Sequence, residues 1–197
     1  MVIFYLAEPE SYSCFWYFNM GYTSDRDDDR INGYAAECFL AAAIHQSKRI
    51  YAWDIEPQFL ADVISNDPAG KKHLKIAEPF LVQEFAEISI DELGRKSFTL
   101  PLLHELPAVT ILDRVLGLDY CVEFFGYRIG IDVTVNPSTE VKKLRKKREL
   151  ASVYSRLGFD KIVILVVNNT FDSQVLEAKL KLINKSDATS LNHTVVI

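Results

Sequence analysis

The stretch whose reading decides the fold is residues 118–137, LDYCVEFFGYRIGIDVTVNP. Tyr120, Val122 and Phe124 alternate with Asp119, Cys121 and Glu123, and Ile129, Ile131, Val133 and Val135 alternate with Arg128, Gly130, Asp132 and Thr134. Each half therefore reads as a strand with one apolar face. With Phe125-Gly126 as the turn, Tyr120 meets Ile131, Val122 meets Ile129 and Glu123 meets Arg128, so both apolar faces fall on one side of a hairpin. A slip of one residue would split them, and because Phe-Gly is not a favoured two-residue turn sequence, face matching carries the register. The same register sets Asp119 against Asp132, and like charges so placed are destabilising. A divalent cation between them would reverse that sign.

Outward from the hairpin, PAVTILDRVLG reads as a helix that opens at Pro107 and closes at Gly117. On the other side, Asn136-Pro137 reads as the cap of a helix running to Gly158, and DKIVILVVNNT as a continuous apolar strand of the kind buried on both faces. A last helix over 172–183 and a polar tail follow. Upstream, MVIFYLAE and SYSCFWYFNMGY predict two strands separated by Pro9, TSDRDDDRING a loop, and GYAAECFLAAAIHQS an Ala-rich helix buried nearly all round. Residues 48–54 predict a strand, 56–66 and 74–88 two helices with Gly70-Lys71-Lys72 as the loop between them, and 97–99 a short strand.

A chain of 197 residues with 49% hydrophobic content is long enough for one well-cored domain with an elaboration. The expected organisation is one globular unit in which an α+β extension, residues 1–100, packs on a core formed by 101–197. No run approaches the roughly 20 apolar residues of a membrane span, and the first eight residues lack the basic start and long apolar stretch of a secretory signal. Cys14, Cys38 and Cys121 are odd in number and set among apolar residues, which suits thiols in a reducing compartment, so the expected location is cytoplasmic. His45, His73, His104 and His193 form no ligand pair at metal spacing. The net charge of −5 argues against a protein that coats nucleic acid indiscriminately.

The order helix, acid-bearing hairpin, helix, strand, over about 107–168, resembles the core of the PD-(D/E)xK nuclease superfamily. The resemblance implies an α/β fold in which helices flank a central mixed sheet of restriction-endonuclease-like type. It also implies a magnesium- or manganese-dependent endonuclease acting on DNA. Carried over residue by residue, Asp119 matches the first acid and Asp132 the acid of the triplet IDVT, and both would hold the metal. The motif lysine is replaced by Thr134, which shares a face with Asp132 and would orient water or line the site but carries no charge. Some members of the superfamily draw the lysine from a neighbouring element, which here points to Lys142 or Lys143. If neither serves, the chain is a non-catalytic descendant that binds nucleic acid or a protein, or a structural protein forming a homo-oligomer.

Two carboxylates suit magnesium, a hard cation normally held by one or two carboxylates with waters and substrate phosphate. KKLRKKRE, residues 142–149, carries six cations, with no apolar sector until Ala151, and is expected to project beyond the core. Cations in a first turn oppose the helix dipole, so helix stability does not explain them, whereas phosphate contacts from Lys142, Lys143, Arg145 and Lys146 would. An EF-hand alignment from Asp25 fails, because Arg30 stands where glycine is needed and Ala36 where the final glutamate is needed. Glu37 and Glu105 lie on upstream helices, where some nucleases of this superfamily place an additional acid. Phe15, Trp16, Tyr17 and Phe18 alternate as in a strand of a core or subunit interface.

Overall fold

The computed structural model describes residues 33–90, 92, 95–168, 170–185 and 192–196. The two N-terminal strands expected from the sequence, the loop with Asp25 and the aromatic run at 15–18 lie outside these residues. A five-stranded mixed sheet organises the rest, in the order β1 (Ile50–Ala52), β4 (Tyr120–Phe124), β5 (Tyr127–Thr134), β6 (Lys161–Val166) and β7 (Asn192–Val196). β1 and β4 pair antiparallel, as do β4 and β5, while β5, β6 and β7 are mutually parallel. A separate ribbon joins β2 (Glu87–Ile90) to β3 (Lys96–Thr99).

The hairpin has the register that the apolar faces require: Tyr120 opposite Ile131, Val122 opposite Ile129, Glu123 opposite Arg128. Its turn puts both central residues at positive φ, 51° for Phe125 and 78° for Gly126, the requirement of a type I′ turn. Phe125 tolerates this unfavourable region with its ring edge-on to Phe124, centroids 4.7 Å apart. Ile129, Ile131, Val133, Val122 and Phe124 form one core with α1 (Gly33–Gln46) and α7 (Ser173–Lys185). Among the described side chains of α1, Ala36, Leu40 and Ala43 form the buried stripe, while Ala42, His45 and Gln46 are exposed. α7 contributes Leu176, Leu180 and Ile183, a helical spacing on one face.

The opposite sheet face is covered by α2 (Pro57–Ser65), α3 (Pro68–Phe85), α4 (Ala108–Ile111, continued by a π-helical turn Leu112–Leu116) and α6 (Ala151–Leu157). β6 is buried along its whole length, Lys161 included, as the apolar run from Ile162 to Val166 implies for the rest of the strand. The chain before residue 101 thus supplies the edge strand β1 and layers on both faces.

Three expectations are corrected. Gly70-Lys71-Lys72 is not a loop: α3 begins at Pro68, because Asp67 caps it through Oδ1, which accepts from Ala69 N at 2.8 Å and Gly70 N at 3.2 Å. The helix expected to run to Gly158 is two, α5 (Glu140–Glu149) and α6, with the break at Leu150. The polar tail contains β7, whose backbone pairs with β6 although its sequence is short and mixed. Among the described residues no helix is long and apolar enough to cross a membrane.

Gly70 sits against the preceding helix, where a Cβ would lie 2.4 Å from the Ile64 carbonyl oxygen. Gly70→Ala is expected to destabilise by about 1–3 kcal/mol in urea unfolding, despite alanine's better helix propensity. Gly33→Ala, which meets nothing within 4 Å, should stay within about 0.5 kcal/mol of the parent.

Candidate active site

Asp132 lies on β5, the middle strand of the sheet, near the carboxyl ends of two parallel strands, where open α/β sheets hold their ligands. It is 5% exposed. A buried carboxylate needs partners, and Asp132 takes both from α5. Lys143 Nζ donates to Oδ1, and Lys147 Nζ stands 2.6 Å from Oδ2. The two lysines are four residues apart and so occupy one helical face. Lys143 Nζ also donates to the Val133 carbonyl at 2.6 Å.

Lys147 is the more constrained cation. It is fully buried and donates to the carbonyls of Leu116, at 3.4 Å, and Gly117. Those carbonyls end the π-helical turn, where Gly117 adopts φ 70°. A helix C-terminus presents unpaired carbonyls and negative dipole, so an ammonium there satisfies both. Tyr154 adds its hydroxyl to Leu116 O at 2.7 Å, and Lys146 Nζ reaches Arg114 O at 3.5 Å. A Cβ on Gly117 would meet Lys146 Nζ at 3.0 Å and Lys147 Nζ at 3.2 Å.

α5 therefore does not project beyond the core as expected. Lys143, Lys146 and Lys147 turn inward, and the absence of an apolar sector reflects a helix whose buried face is cationic. The outer face carries Lys142, exposed, and Arg145, which is 3.6 Å from Glu149.

Asp119 stands one residue beyond the β4–β5 ladder. Its N–H donates to Ile131 O at 2.8 Å, and its Oδ2 accepts from Val133 N at 2.6 Å. Burial first, then the charge of Asp132, pushes its pKa from the ordinary 3.8 to about 7, against the Val133 bond. The conflict between the two acids thus persists in the folded chain. Burial lowers Lys146 to about 8, and burial also lowers Lys147. Glu37 of α1 is raised by burial and by the charges of Asp113 and Asp132, which brings it into the electrostatic reach of the site. Glu105 is elsewhere, accepting from Leu102 N at 2.8 Å. The Thr134 hydroxyl is engaged in the turn after β5, with Asn136 N at 3.2 Å and Thr139 Oγ1 at 3.0 Å.

The donors suit a hard divalent cation: carboxylates of Asp119 and Asp132 and the Val133 carbonyl, with the Lys143 ammonium already touching two of these three groups as a monovalent cation would. Among the described residues no three His, Cys, Asp or Glu side chains converge on a metal position. Lys147 is the site residue that the sequence does not reveal: its i+4 spacing from Lys143 is shared by Lys142 and Lys146, so spacing alone does not find it. Comparison with protein-family models, with curated proteins and with solved structures finds no match for this chain.

Replacing Lys147 by Met leaves Asp132 half-compensated and the Gly117 carbonyl without its donor, so Lys147→Met should destabilise by about 3–5 kcal/mol in urea titration. The exposed Lys142→Met should cost under about 0.5 kcal/mol.

Asp119 yields a pH dependence. A carboxyl whose folded pKa lies above its unfolded value binds its proton more tightly when folded, so its contribution is fully present below about pH 3.8 and is lost as pH rises through about 7. Asp119→Asn, which keeps an acceptor for Val133 N, should be more stable than the parent at pH 8, with the difference shrinking towards pH 4 in chemical denaturation.

Proposed function

We propose that this chain is a nuclease-like protein with a restriction-endonuclease-like core, hydrolysing phosphodiesters of DNA with magnesium or manganese. The observation that carries the reading is Lys143: from α5, it reaches the acid of the IDVT triplet at which Thr134 stands in place of the motif lysine. Asp119 and Asp132 would hold the metal, which when bound supplies charge neutralisation at the phosphodiester and a water of lowered pKa.

The chain's own residues divide the remaining work. Lys143 positions the attacking water or the phosphate, Lys147 holds Asp132 in place, and Thr134 orders the turn that starts α5. Lys142 and Arg145, on the outer face of α5, engage neighbouring phosphates, whereas Lys146 is turned inward to the Arg114 carbonyl. The position of the acids at the carboxyl ends of β5 and β6 supports a ligand site there.

One observation favours a second reading, a non-catalytic descendant that binds DNA: both oxygens of Asp132 already meet ammonium groups. A plasmid-nicking assay in magnesium and in manganese, beside filter binding at two salt concentrations, separates the two. Under the nuclease reading, Lys143→Ala should lower cleavage by at least about a hundredfold while DNA affinity falls less than about tenfold, one phosphate contact among several. Lys142→Ala, which removes one phosphate contact, should weaken DNA binding by less than about tenfold and leave cleavage at saturating DNA within about threefold of the parent. Binding without cleavage by the parent, with slow cleavage awakened in Thr134→Lys, selects the binder; neither binding nor cleavage removes both readings.

A further inference from the structure

We infer that the Lys143 ammonium and the divalent cation are alternative occupants of one oxygen-lined position, so that Lys143 leaves Asp132 when the metal binds while Lys147 stays. This rests on the metal reading of Asp119 and Asp132. Lys143 Nζ touches Asp132 Oδ1 and the Val133 carbonyl, the latter at 2.6 Å. A carboxylate oxygen beside a main-chain carbonyl is a ligand pair for a hard cation, and neither group can serve an ammonium and a divalent ion at full strength together. Like charges at such a separation repel by several kcal/mol even at a protein-surface dielectric.

The two lysines differ in what their departure would cost. The Lys143 side chain is 29% exposed on a flexible stem and has a path to solvent. Lys147 is 0% exposed, stands against Oδ2 and is anchored by the Leu116 and Gly117 carbonyls. Moving it would strip the Gly117 carbonyl of its donor, leave Leu116 O to the Tyr154 hydroxyl alone, and take from Oδ2 its buried countercharge. Only Lys143 can exchange. A displaced Lys143 stays tethered a few ångströms from the acid it left, where its charge is available to a phosphate or to the attacking water. Lys143 therefore opposes metal binding in the free protein and assists the reaction once metal and DNA are present.

Manganese titration, read by electron paramagnetic resonance of free Mn2+ and by calorimetry without DNA, tests this on the parent, Lys143→Met, Lys143→Gln, Lys146→Met and Asp132→Asn. Both Lys143 variants should bind Mn2+ at least about tenfold more tightly than the parent, because they remove the competitor. Lys146→Met removes the same charge nearby without vacating the oxygens, and should tighten binding by less than about threefold. Asp132→Asn should lose most binding. Equal tightening in the Lys143 and Lys146 variants would reduce the effect to general electrostatics and overturn the exchange, as would unchanged or weaker binding in the Lys143 variants. If the parent and Asp132→Asn bind alike, or if no variant binds Mn2+, the metal reading itself falls and the exchange with it.

Discussion

A buried carboxylate on the central strand of a sheet is tolerated only when its charge is answered at both oxygens, and Asp132 obtains that answer from one face of one helix. Much else is arranged around this requirement. α5 must lie with Lys143 and Lys147 over the end of β5. The π-helical turn must end where the Lys147 ammonium can cap its carbonyls, and Gly117 must provide a left-handed residue without a side chain between them. The hairpin, the turn and α5 are coupled through a single ammonium.

The sign of the local field follows from the same arrangement. Asp119, Asp113 and Glu37 are all raised by burial, and Lys146 and Lys147 are lowered by it, so acids and bases both sit closer to neutrality than they would in water. Groups moved towards the physiological range from both directions are common in sites that handle protons or bind ions, although structural networks shift them too. Here the cluster lies at the carboxyl ends of parallel strands, where the turn after β5 leads into α5.

The hairpin was legible because strand periodicity is local: alternate residues face one way whatever surrounds them, and two apolar faces admit one register. The strand at 161–166 and the helix before the hairpin were legible for similar reasons. α5 was misread because six cations in eight residues look the same whether they face water or a buried acid, and nothing within the helix distinguishes Lys142, which is exposed, from Lys147, which is fully buried. The loop expected at Gly70 failed differently. Glycine usually punctuates, but here Asp67 and Pro68 start the helix and Gly70 allows close approach to the Ile64 backbone.

By itself the sequence determined the hairpin register, the α/β class and the nearness of two like charges, Asp119 and Asp132, since each depends on alternation along a strand or on the charge of a residue. The tertiary structure decided which cations answer Asp132. That choice depends on where α5 crosses the end of β5, a distance between segments that no local pattern encodes. It is set by core packing, which turns Val153, Tyr154 and Leu157 of α6 inward and brings the preceding helix over Asp132.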